Sequence, residues 1–64
     1  MSRSAHIDVR LVSPSDLPPE TDAEFTVDGS RPEIEATLRC ASPRAAIACF
    51  DSMIHAIRCA QRAQ

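Results

Sequence analysis

Apolar and polar positions alternate from His6 to Val12: Ile7, Val9 and Leu11 face one way, His6, Asp8 and Arg10 the other. This period of two predicts a half-buried strand. Ala23 to Asp28 alternates again, with Phe25 and Val27 inward. Glu33 to Ala41 does so a third time, with Ile34, Ala36, Leu38 and Cys40 opposed to Glu33, Glu35, Thr37 and Arg39. The segment from Ser13 to Asp22 holds three prolines and reads as a loop too long for a tight hairpin. The run Asp28-Gly29-Ser30-Arg31-Pro32 reads as a turn between the second and third strands, Asp-Gly being a strong hairpin signal.

From Ser42 to Gln64 the period changes to that of a helix. Ser42 suits the N-cap and Pro43 the first turn, and no glycine or proline follows. At about 100° per residue, Ala46, Phe50, Met53, Ile54 and Ile57, with Ile47 at the border, form one stripe. Ala45, Cys49, Ser52, Ala56, Cys59 and Ala63 form a second, of small residues only. Arg44, Asp51, His55, Arg58 and Arg62 form a third, with arginines near the negative end of the macrodipole. The large apolar stripe is expected to cover Ile7, Val9, Leu11, Phe25, Val27, Ile34, Ala36 and Leu38. The predicted fold is therefore a single α+β domain over residues 1–64: a three-stranded antiparallel sheet covered on one face by a C-terminal helix, β-β-β-α. A chain of 64 residues buries little surface and is marginally stable alone.

Charge sharpens this picture. From Asp16 to Glu35 seven acids stand against one base, Arg31, whereas from Ala36 to Gln64 four arginines stand against one acid, Asp51. A formal net charge of −2 argues against a general nucleic-acid binder. Seven arginines without a lysine fit a GC-rich genome. Alternation puts Asp8, Glu24, Asp28, Glu33 and Glu35 on the uncovered sheet face, opposed by Arg10 and Arg39. The plainer reading is a solvated face that keeps a small fold soluble. The sharper one is a carboxylate array that stands in for nucleic-acid phosphates and binds a basic surface on another protein.

The small-residue stripe follows the spacing of a coiled-coil seam. A close contact between the helices of two copies and packing against the sheet edge or proline loop compete evenly there. Cys49 and Cys59 lie about 15 Å apart along the helix and cannot bridge. Cys40 reaches Cys49 only across a tight strand–helix turn, and three small hydrophobic thiols are the preferred reading. Asp51 and His55 can pair one helical turn apart but lack a nucleophile. His55 and Cys59 lack two further zinc ligands. A single glycine excludes a glycine-rich phosphate loop. No catalytic residue, metal or cofactor is therefore expected. The N-terminus shows no apolar signal region and no run is long enough to span a membrane, so the expected location is cytoplasmic.

The β-β-β-α order, with a helix opened by Ser42-Pro43-Arg44-Ala45-Ala46, resembles HicB-type antitoxins over roughly residues 23–60. That resemblance implies a small half-RNase-H-like fold and a toxin ribonuclease as partner. The chain lacks that family's glycine-rich aromatic second strand and its DNA-binding segment. The same order is similar to the last four elements of double-stranded RNA-binding domains, without their first helix or lysine-rich second helix start. In type, a tiny arginine-only, acidic-faced, motif-free domain resembles phage or mobile-element anti-CRISPR proteins. That likeness implies a non-enzymatic inhibitor that mimics DNA and blocks target binding by a CRISPR effector complex. An antitoxin or small dimerisation module is the alternative.

Overall fold

A computed structural model describes residues 4–30 and 33–62. Strand β1 spans Ala5–Leu11, β2 Ala23–Asp28 and β3 Ile34–Cys40, and helix α1 spans Pro43–Arg62. The α+β class and the β-β-β-α order are as the periodicity predicts. Ser42 caps α1 as expected, its Oγ accepting a hydrogen bond from the Ala45 N–H at 3.2 Å.

The wholly antiparallel sheet is corrected. The strand order is β1-β3-β2. β2 pairs with β3 antiparallel, but β1 pairs with β3 parallel, from Ala5 opposite Ile34 to Leu11 opposite Cys40. The physical reason lies in the long link between β1 and β2. It passes around the C-terminal end of β3 and is pinned on both sides of it. The Val12 N–H donates to the Cys40 carbonyl at 2.9 Å, and the Ala41 N–H donates to the Asp22 carbonyl at 3.0 Å. The link contains a single 3-10 turn, Pro14–Asp16, and buries Leu17. β3 takes the centre because its inward side chains, Ile34, Ala36, Leu38 and Cys40, are the ones wholly buried.

The β2–β3 turn closes without a left-handed glycine. Instead the Asp28 carboxylate accepts from the Ser30 N–H at 3.0 Å and from its hydroxyl at 2.6 Å. Arg31 and Pro32, read as part of this turn, lie outside the described residues. The one non-glycine residue with positive φ among the described residues is Glu20, at 64°. It occupies the third position of the turn Pro18-Pro19-Glu20-Thr21, closed by the Thr21 N–H donating to the Pro18 carbonyl at 3.1 Å. Such a turn requires positive φ there, which a Cβ resists. Relief of that strain, less the extra chain entropy of glycine, gives Glu20→Gly an expected gain of about 0.5–1 kcal/mol. The check is a rise of about 2–8 °C in melting temperature.

The helix packs as a cover, but rotated from the predicted stripe. Met53 and Ile57 are buried against Ile34, Ala36 and Leu38, and Ala46, Cys49, Ile54 and Ala60 pack around them. Phe50, expected in the core, is 43% exposed, and Ile47 is 77% exposed. α1 lies over β3 and β2 and scarcely touches β1. The side of the helix carrying Ile47 and Phe50 therefore overhangs the uncovered strand. For the same reason Val9 and Leu11, predicted to be covered, are exposed at 47% and 62%.

Candidate partner-binding face

The sheet face away from α1 carries the outward side chains of all three strands, and the pairing register arranges them in rows. His6, Glu35 and Asp28 form the row nearest the β2–β3 turn. Asp8, Thr37 and Thr26 form the middle row, and Arg10, Arg39 and Glu24 the row at the far end. Residues directly opposite in such a ladder have Cβ atoms about 5 Å apart. Four of the five predicted carboxylates, Asp8, Glu24, Asp28 and Glu35, therefore share one side of the molecule, and the fifth, Glu33, lies just before β3.

At the far end the charges are matched. The Arg39 Nη1 donates to Glu24 Oε1 at 2.9 Å across the β2–β3 pair. Its Nη2 donates to the Asp16 carbonyl at 3.3 Å, so the same guanidinium ties the proline-rich link to this face. Arg10 Nε donates to Asp8 Oδ2 at 2.9 Å along β1. Both pairs are substantially solvent-exposed, and each is worth well under about 1 kcal/mol. Their effect is to neutralise Asp8 and Glu24 rather than to hold the fold.

The turn end carries three of the five acids. Asp28 stands opposite Glu35, and the exposed Glu33 lies just before β3. The hairpin thus gathers Asp28, Glu33 and Glu35 at one corner of the sheet, and strand alternation, Asp28's capping of its turn and the β2–β3 register position them. Arg10 meets Asp8 two residues back along its own strand, whereas only the β2–β3 register shows that Arg39 meets Glu24.

The second predicted surface, the small-residue stripe, is divided. Cys49 is turned towards the core, Ala45 and Ala56 are half-buried, and Ser52 and Cys59 are exposed. Ala63 lies outside the described residues. The three cysteines are free thiols, with Cys40 buried, Cys49 half-buried and Cys59 exposed. Cys59 Sγ lies 3.6 Å from His55 Nε2, one turn back along the helix. Among the described residues no group of three or more His, Cys, Asp or Glu side chains is placed to hold a metal ion. Among the same residues no helix is long and apolar enough to cross a membrane.

No family model, curated protein or solved structure matches this chain.

Proposed function

We propose that this chain is a non-enzymatic inhibitor that docks on a basic, nucleic-acid-handling protein surface through the acidic corner of its open sheet face. The observation that carries the reading is the gathering of Asp28, Glu33 and Glu35 at the hairpin end of that face. Asp28 and Glu35, directly opposite on the ladder with Cβ atoms about 5 Å apart, give a local negative field, the feature with which a protein stands in for phosphates. The concrete form is an anti-CRISPR protein acting in the host cytoplasm, where occupation of a basic channel would keep target DNA out of a CRISPR effector complex.

The test is the double substitution Glu33→Arg with Glu35→Arg, assayed against purified CRISPR effector complexes. Like charges brought together across an interface cost several kcal/mol. Binding is therefore expected to fall at least about a hundredfold, while circular dichroism and melting temperature stay near wild type. Wild-type binding should itself weaken as salt rises, since the field reaches only about 8 Å at physiological ionic strength. Unchanged binding by the double reversal refutes phosphate mimicry by this corner.

The open edge of β1 favours a second reading, a small dimerisation module. A HicB-like antitoxin is the functional form of that alternative. Capture of a small toxin ribonuclease, insensitive to the same double reversal, would support it over the inhibitor.

A further inference from the structure

We propose that two copies of this chain join through their β1 edges, antiparallel and in register about Val9. The proposal stands apart from the acidic corner. β1 is an outer strand of the sheet. The Ile34 N–H donates to the Ser4 carbonyl at 3.2 Å, and the Val12 N–H donates to the Cys40 carbonyl. Even-numbered residues of β1 thus turn their backbone groups towards β3. Ladder alternation then sends the N–H and C=O groups of Ala5, Ile7, Val9 and Leu11 to the open edge. A seven-residue edge without proline, lysine or bulge is a template for another strand.

The side chains select the occupant and the register. Centred on Val9, antiparallel pairing places Asp8 of each copy opposite Arg10 of the other. These are non-hydrogen-bonded positions, where side chains approach most closely. On the helix-side face the same register sets Val9 against Val9 and Ile7 against Leu11. Centring on Asp8 instead opposes two aspartates and sets His6 against Arg10. Centring on Ile7 leaves Leu11 without a strand partner. On the other edge of the sheet, β2 pairing with itself about Thr26 would set Glu24 against Asp28.

The exposed apolar residues agree with this assignment. The exposed Val9, Ile47 and Phe50 line an open groove beside β1, together with Ala46, Asp51 and the buried Leu38. In the pair, two β1 strands form the floor between two helices, and Ile47 and Phe50 overhang it from both sides. The sheet becomes six-stranded, in the order β2-β3-β1-β1-β3-β2. The twofold axis carries the two acidic corners to opposite ends of the outer face.

The test is sedimentation with interference optics, on wild type and on Asp8→Arg, Arg10→Asp and Val9→Pro. The wild type should be dimeric. Asp8→Arg sets arginine against arginine twice across the axis, and Arg10→Asp sets aspartate against aspartate, so each alone should weaken the dimer about tenfold or more. Mixing these two variants restores both opposite-charge pairs and should restore a dimer. Val9→Pro removes an edge N–H without breaking the β1–β3 ladder and should be monomeric with native circular dichroism. A wild type that is monomeric up to about 1 mM overturns the proposal. So does a dimer unaffected by all three substitutions, or failure of the two charge variants to associate on mixing when each is folded.

Discussion

Leu38→Ala is expected to remove about half of the chain's folding stability at 25 °C. Leu38 is wholly buried in the central strand, between Val9 of β1 and Phe25 of β2 and beneath α1. Truncation there removes transfer energy and leaves a cavity walled by three elements, at a cost of about 2–5 kcal/mol. A domain of this length has about 3–10 kcal/mol to lose. Phe50→Ala removes a larger side chain, but one that is 43% exposed over the strand the helix does not cover. It should cost less than half as much. Urea melts followed by circular dichroism compare the two directly. Equal destabilisation would mean that Phe50, and not Cys49, is turned into the sheet.

Thr37→Pro is the second large loss. Thr37 is at the middle of β3, flanked by Asp8 on one side and Thr26 on the other. Because the Ala41 N–H donates to the Asp22 carbonyl, odd-numbered residues of β3 turn their backbone groups towards β2. Proline at position 37 deletes that ladder donor and strands the facing carbonyl of Thr26. It also forces a ring between two hydrogen-bonded neighbours, where proline is not tolerated. The expected cost is about 3 kcal/mol or more. Val9→Pro deletes an N–H that points away from β3, and should leave the native spectrum intact. A thermal melt in which the two variants behave alike would contradict the strand order.

The contrast between these positions shows what the chain reveals unaided. A period of two states which side of a strand is buried, and it located Ala5–Leu11, Ala23–Asp28 and Ile34–Cys40 to within a residue or two. Ser42-Pro43 marked the helix start through its own capping chemistry. Neither signal states which strand lies beside which. The direction of β1 depends on how residues 12–22 route around Cys40, and that route is held by backbone hydrogen bonds and by the long-range contacts of Arg39 and Leu17, none of which the local pattern states. The helix face failed for a related reason. Cys49 on the small-residue stripe and Phe50 on the large apolar stripe are consecutive residues, and which one enters the core depends on α1 resting on two strands rather than three. The acidic face was legible as a side of the sheet. The pairing of Arg39 with Glu24 was not, because those residues meet only through the β2–β3 register.

The parallel strand also imposes an order of assembly. Asp28 and Glu35 pair across 7 positions of chain, whereas every β1–β3 partner is separated by 29, as Ala5 is from Ile34. Closing the longer segment costs more chain entropy before any contact repays it. The hairpin of β2 and β3, with α1 following directly, can therefore form as a unit before β1 arrives. β1 then docks late, and because α1 scarcely touches it, it is also the element that leaves first. Amides of β1 that donate to β3 should exchange with solvent through this partial opening, ahead of those that join β2 to β3. In the opened form, the vacated side of β3 presents its own row of backbone groups. A β1 strand from another copy fits that row as well as the chain's own, so late docking leaves the molecule a route to exchanging its first strand.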